Sequence, residues 1–350
     1  MTIDGMLSQL SQWLQGEGPE NDIVISSRIR LARNLSGFPF LSRATELDRR
    51  TIRDSVRDTA MRVFEKNSYY FIDMESLESL DREYLLERQL VSRELVETDG
   101  ARAAIVDRNE HFCIMVNEED HLRIHGMTSG FDPKKVWQLI NEVDDRLESR
   151  LHYVFHEKYG YLTACPTNVG TGLRVSVMLH LPALVVSKEM DKVFRSLQKI
   201  NLAVRGLYGE GSQSFGDFYQ ISNQVTLGKS EAELIDRVSD IIPQIVEYER
   251  QARSYLMENR LEILQDRCSR AMGVLKTART IGSVEAMHHL SSIRLGVNLG
   301  LLDEPEVITI NTLLLNTQPA HLQKLNGGEL AQTERDIARA RYLRSKLGED

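Results

Sequence analysis

Residues 165–174 read Cys165-Pro166-Thr167-Asn168-Val169-Gly170-Thr171-Gly172-Leu173-Arg174, and the architecture of the chain can be worked out from this stretch. Its first eight residues are dense in turn formers, and two glycines let backbone come close to a ligand. Residues 174–181 then alternate apolar and polar, as a half-buried strand does. A loop shaped for close approach therefore feeds a strand that starts with an arginine.

Further elements appear on both sides of this stretch. Residues 22–34 (DIVISSRIRLARN) open as a strand, and in it Ser26-Ser27-Arg28-Ile29-Arg30 places two arginines two residues apart. Such residues share a strand face, and two guanidinium forks on one face can clamp a polyphosphate. Taken alone, the pair reads slightly better as a basic face toward solvent. Residues 45–66 have helical spacing through Ile52, Val56, Met61 and Val63, and residues 103–116 read as two strands around a turn at Asp107–Glu110. Directly after them comes Asn117-Glu118-Glu119-Asp120-His121-Leu122-Arg123. Three acids there are either a solvated turn or a strand end that supplies a base or orients a cation. Residues 133–160 read as one long amphipathic helix stopping at Gly160, which would put His152 and His156 on it. Short apolar runs lie at 192–206 and 216–228, and Arg205-Gly206-Leu207-Tyr208-Gly209-Glu210-Gly211 is a glycine-rich loop holding one cation and one acid. From the capping box at Ser230 and Glu233 onward the chain is helical, interrupted at Pro243. The expected organisation is an α+β domain over 1–250 and a helical domain over 255–350.

Composition excludes several functions. The net charge is −8, which argues against general nucleic-acid binding. The longest apolar run, Val175–Val186, is broken by His180 and Pro182, so no membrane span is expected. The acidic start at Asp4 does not resemble a secretory signal. Cys113, Cys165 and Cys268 have no metal or redox spacing and fit a reducing cytosol. Arginine outnumbers lysine 32 to 11. No Walker A loop is present, because Asn223 stands where its first glycine would be, and there is no HRD or DFG set.

Taken together, the CPTNVGTGLR, NEEDHLRI, SSRIR and RGLYGE segments resemble the guanidino (phosphagen) kinases over residues 22–250. The resemblance implies an antiparallel sheet flanked by helices, and transfer of phosphate from ATP to a guanidinium. Its motif positions imply Glu119 and Glu210 as a carboxylate pair around the guanidinium, with Cys165 beside it and the choice of base left open. They also imply an ATP site over Ser26, Ser27, Arg28, Ile29, Arg30, Arg123, Arg174, Val175, Ser176, Val177, Met178, Arg205, Gly206, Leu207, Tyr208 and Gly209. Mg2+ would be held through phosphates and water, with no metal site made of protein side chains.

Two departures point to a subgroup. Small-substrate members carry a helical domain ahead of the SSRIR strand, whereas here only residues 1–25 precede it and the added helices lie at the C-terminus. That order resembles the bacterial protein-arginine kinases, whose RDxxRA motif matches Arg335-Asp336-Ile337-Ala338-Arg339-Ala340. By resemblance Arg335, Asp336 and Arg339 bind phosphoarginine and the setting is a bacterial stress response. The implied partners are proteins with exposed arginines, a heat-shock repressor, an activator protein and a Clp-type ATPase, with the kinase itself a homodimer. Met178 and Tyr208 stand where relatives have a histidine near adenine and an arginine, so those contacts do not carry over. The alternatives are a kinase for a small free guanidine and a non-catalytic module that reads phosphoarginine.

Overall fold

Alternation along the central strands sorts the sequence onto two faces with different fates. A computed structural model describes residues 3–7, 9–207 and 215–348. Eight strands pair antiparallel throughout: β1 (Val24–Arg33), β2 (Tyr69–Asp73), β3 (Ala103–Asp107), β4 (Phe112–Val116), β5 (Leu122–Ser129), β8 (Leu173–His180), β9 (Leu202–Gly206) and β10 (Phe218–Asn223). They lie in the order β2-β3-β4-β5-β1-β8-β10-β9, with a separate hairpin of β6 (Phe155–His156) and β7 (Gly160–Tyr161). On one face Ile29, Leu31, Ile114, Ile124, Val175 and Val177 are buried against α1 (Glu46–Val63), α4 (Pro133–Glu148) and α7 (Glu231–Asn259). Each such side chain contributes about 1.5–3 kcal/mol. A slip of one residue in β1 would put Arg28 and Arg30 into this core, so the register is fixed.

Among the described residues, apolar cores cover the other face at its two ends. At one end Ala104, Val106, Cys113 and Met115 pack under α2 (Ser79–Glu87) and α3 (Arg93–Glu97). At the other, Ile25, Met127, Met178 and Phe218 share a core with the C-terminal helices. Those helices are α8 (Leu261–Thr277), α9 (Ser283–Asn298), α10 (Val307–Asn316), α11 (Pro319–Leu325) and α12 (Gln332–Leu347). The strip between the two covers carries arginines. The short helices α5 (Pro182–Val186) and α6 (Met190–Lys199) link β8 to β9.

A buried polar network ties the sheet to the helical region. His180 accepts from Arg294 at Nδ1 (3.1 Å), so its Nε2 donates to Ser291 Oγ (2.8 Å). Ser291 and Arg267 both donate to Asp217 Oδ2 at 3.2 Å. Burial, reinforced by Arg294, holds the His180 imidazole neutral, well below its usual pKa.

Several sequence expectations change. The helix expected to reach Gly160 ends at Glu148, because Ser36, Asn34 and Leu35 capture the next residues through Ser36 N–His152 O (2.7 Å), Val154 N–Asn34 O (2.8 Å) and a Leu35–Tyr153 bridge. His152 and His156 are therefore not on a helix. On α1 the buried face runs through Ile52, Val56 and Ala60, leaving Met61 60% exposed. Pro243 does not interrupt α7. A mid-helix proline costs about 3 kcal/mol, and buried Val238, Ile242, Ile245 and Val246 on either side offset it. The same helix passes unbroken through residues 250–255. Among the described residues no helix is long and apolar enough to cross a membrane.

Candidate active site

The open strip is laid out by strand register. Arg28 lies opposite Met127 and Ser176, Arg30 opposite His125 and Arg174, and Arg123 opposite Ala32. Ser26 lies opposite Met178, which faces Gln220, and Gln220 faces Arg205. Residues two apart on a strand are about 7 Å apart. The cations therefore step along the strip in three rows, from Arg28, through Arg30 and Arg174, to Arg123. Among the expected nucleotide residues, Ser27, Ile29, Val175 and Val177 have the opposite parity. The last three are in the apolar core, and Ser27 Oγ bonds Gly130 O (2.9 Å), so these positions offer the strip only backbone. Leu207 packs into the core shared with the C-terminal helices, and Gly206 pairs with Tyr219. Tyr208, Gly209 and Glu210 lie outside the described residues.

Among the described residues, Arg28 and Arg30 have no carboxylate partner in the strip. The guanidiniums of Arg28 and Arg30 make no ion pair or hydrogen bond to a described residue, and both Nε atoms are enclosed without a partner. Burial, then the Arg123 cation, push Arg28 down to about 10. Burial with Arg123, Arg28 and Arg174 pushes Arg30 well below its usual value. Arg174 is pushed to about 10 by burial and by Arg205 and Arg123, and it donates to Ser222 Oγ from Nε (3.2 Å) and Nη2 (2.8 Å). A guanidinium keeps its proton in proteins, so these forces act as affinity for a bound anion. Opposite Arg30, burial and the surrounding arginines keep His125 neutral.

The acidic run divides its labour. Asn117, at φ 58°, turns the chain and donates to Arg49 O (2.8 Å) and Ala101 O (2.7 Å). Glu118 is fully enclosed, receives both contacts of Arg123 Nη1 (2.6 and 2.5 Å) and accepts from Ser92 Oγ. Burial would raise its pKa, but Arg123 and the hydrogen bonds prevail and lower it. Asp120 accepts from Asn34 Nδ2 and from Ala164 N, each at 2.6 Å, and so ties the acidic turn to the Cys165 loop. His121 accepts from Leu35 N at Nδ1 (2.9 Å), which leaves Nε2 to donate to Pro39 O (3.0 Å). Glu119 alone is exposed. Partial burial raises its carboxyl pKa, Arg123 opposes this, and Asp120, Glu118 and Glu94 add to the rise. One carboxylate without a fixed partner thus stands at the Arg123 end of the cation rows.

The Cys165 loop is held from behind. Cys165 is half-buried with Sγ 3.0 Å from Thr167 Oγ1, and Thr163 Oγ1 donates to Cys165 O (2.8 Å). Gly170 has φ 115°, and a Cβ there would meet Thr226 O at 2.7 Å. Arg33 pairs with Asp144 (2.8 Å), donates to Thr171 O (2.9 Å) and lies under the Tyr161 ring (3.6 Å). Sequence reasoning missed Arg33, Ser222 and Ser92, whose roles depend on partners distant in the chain.

Comparison with known proteins agrees with this geometry. Residues 51–252 match the family model of the ATP:guanido phosphotransferase C-terminal catalytic domain, and residues 261–350 match the protein-arginine kinase McsB C-terminal domain. A protein-arginine kinase from Halothermothrix orenii is 43% identical over 348 residues, 99% of each chain, and one from Symbiobacterium thermophilum is 46% identical over 342 residues, 96% of each. The chain belongs to the protein-arginine kinase family. Among solved structures, lombricine kinase superposes with TM-score 0.58 at 26% identity over 70% of both chains. The duplicated taurocyamine kinase from Schistosoma mansoni gives 0.61 at 26%, over 72% of this chain and 36% of that one. The fold is that of the phosphagen kinases, and the chain is a guanidino phosphotransferase.

In this protein-arginine kinase the two arginines of the RDIARA helix differ in use. Arg339 is 1% exposed and donates to Thr317 O (2.8 Å), Ile281 O (2.9 Å) and Asp336 Oδ1 (2.6 Å). Arg335 is half-buried and donates to Leu330 O (3.2 Å). Arg339 thus fixes α12 to neighbouring backbone, while Arg335 lies nearer the surface.

Proposed function

We propose that the protein transfers the γ-phosphoryl group of ATP to arginine side chains of proteins. The observation that carries this reading is Glu119, a carboxylate with a raised pKa and no partner among the described residues, at the end of rows of arginines in which Arg28 and Arg30 have no carboxylate partner. Arg28, Arg30 and Arg174 would hold the phosphate chain, with Ser26, Ser176 and Met178 toward the base. Arg123, aimed by Glu118 and Ser92, would meet the transferring group, and Arg205, whose charge acts on Arg174, would lie beside the phosphate chain.

The acceptor guanidinium has a pKa above about 12. Neutralising it at physiological pH costs roughly 7 kcal/mol over about five pH units. Glu119 would bind the cation, take its proton and leave a neutral nitrogen to attack in line, with Glu210 as the proposed second carboxylate and Cys165 alongside. General-base help supplies about 10²–10⁴ in rate, so the fixed Cys165 loop and arginine rows would supply the rest by positioning. Mg2+ would travel on phosphate oxygens and water, as suits a cation that gives up water reluctantly.

We further propose a catalytic unit near 1–250 and a helical unit near 255–350 that serves phosphoarginine binding, allosteric control and homodimer contact. Cytoplasmic location is supported by three free cysteines. Family resemblance supports a stress-response role, with a heat-shock repressor, an activator protein and a Clp-type degradation machine as partners. The test is incubation with Mg-ATP and either an unfolded arginine-rich protein or free arginine, with phosphate located by mass spectrometry at neutral or basic pH. Phosphoarginine on the protein is expected. Phosphate on free arginine alone would replace this reading with a small-substrate kinase.

A further inference from the structure

Four large apolar side chains stand in solvent around the frame of the Cys165 loop: Phe155 (60% exposed), Tyr159 (43%), Val225 (46%) and Leu227 (49%). Their segments lie side by side. β6 pairs with β7 through Phe155–Tyr161, Tyr161 N donates to Gly170 O (2.8 Å), and Gly170 packs so tightly on residues 226–227 that a Cβ would meet Leu227 Cα at 2.8 Å. The surface is also preset. The Phe155 ring meets the Tyr161 ring edge-on at 5.2 Å, and Tyr161 lies on the buried Arg33–Asp144 pair. An apolar group held in place outside the core loses little entropy when a partner covers it.

The position identifies the partner. The hairpin is fixed beyond the C-terminal end of β1 through Val154 N–Asn34 O (2.8 Å), and Asn34 also bonds Leu162 O (3.0 Å) and Asp120 (2.6 Å). Residues 224–228 follow the end of β10, which runs antiparallel to β8 and so finishes where the Cys165 loop enters. Both flank the Glu119–Cys165 end of the strip. An arginine side chain reaches about 6–7 Å from its Cα by ordinary bond lengths. The backbone of a polypeptide presenting its guanidinium there must pass over this rim.

We propose that the rim of Phe155, Tyr159, Val225 and Leu227 holds the acceptor polypeptide in extended form on either side of its target arginine, and so selects arginines with apolar or aromatic neighbours. This rests on the reading of the protein as a kinase of protein arginines. The test uses the full chain with Mg-ATP and two peptides, each with one arginine, flanked either by leucine and phenylalanine or by serine and glycine. For the wild type, KM is expected to be about tenfold lower for the apolar-flanked peptide, roughly what one packed anchor contributes. Phe155→Ser with Tyr159→Ser, and separately Val225→Ser with Leu227→Ser, should raise that KM toward the serine-flanked value while leaving kcat and the KM for ATP unchanged. Equal KM values for the two peptides in the wild type, or a preference that survives in both variants, would overturn the rim. A wild type that phosphorylates neither peptide nor an unfolded arginine-rich protein would overturn the kinase reading, and the rim with it.

Discussion

Two pairs of arginines, Arg28 with Arg30 and Arg335 with Arg339, read alike in the sequence, since each pair has the spacing that puts both members on one face of its element. In the folded chain they are opposites. The strand pair points into an open strip, has enclosed Nε atoms without partners and is crowded by further cations. In the helix pair, Arg339 spends its donors on Thr317 O, Ile281 O and Asp336, and Arg335 reaches Leu330 O. An unsatisfied buried cation is costly and persists where a ligand completes it. A satisfied one is architecture. Spacing alone indicates where guanidiniums can meet an anion, and the count of donors already in use indicates which of them await one.

The contrast predicts opposite outcomes for the same chemical change. Arg30→Met should lower kcat/KM for phosphoryl transfer by about 10²–10³, the range for losing one preorganised donor to a transferring charge. Its melting temperature should hold or rise, because an uncompensated cation leaves the interior. Steady-state kinetics with calorimetry on the same preparation checks both halves, and a variant that melts early would mean Arg30 is structural. Arg339→Met should do the reverse. It leaves two backbone carbonyls and the Asp336 carboxylate short of partners, which costs about 2–4 kcal/mol. Denaturant unfolding reads that loss, and unchanged stability would show that the donors of Arg339 are not what fixes α12.

The smallest effect is in the pH dependence. Glu119 must be ionised to accept a proton, and its pKa is raised by burial and by neighbouring acids. A raised pKa means that the carboxylate fraction falls sooner as the solution is acidified. The acid limb of kcat/KM against pH, which reports the free enzyme, should therefore lie above the ordinary glutamate range, with activity lost as pH drops through it. A limb at the ordinary glutamate position would assign the base elsewhere.

How much of this was legible beforehand follows from how local each signal is. Strand alternation around Arg28 and Arg174 and the capping box at Ser230–Glu233 are set by neighbours in sequence, and the structure forms them where expected. The end of α4 was misread because backbone at 34–36, more than a hundred residues earlier, captures residues 152–154. The acidic run by itself showed three candidates, and only the family resemblance pointed to Glu119. The physical reason it is the free one lies in Ser92 and Arg123 around Glu118, and Asn34 and Ala164 around Asp120. The buried state of Arg339 was invisible for the same reason, because its acceptors Thr317 O and Ile281 O belong to other elements.

The most direct test of the account is kcat for phosphoarginine formation on an unfolded arginine-rich protein by Glu119→Gln, with Mg-ATP affinity measured on the same sample. The account predicts a loss of about 10²–10⁴ in kcat, the range for a positioned general base, with ATP affinity unchanged because the arginine rows are intact. A kcat within a few-fold of wild type would contradict it and leave the single free carboxylate of the acidic run without its proposed role.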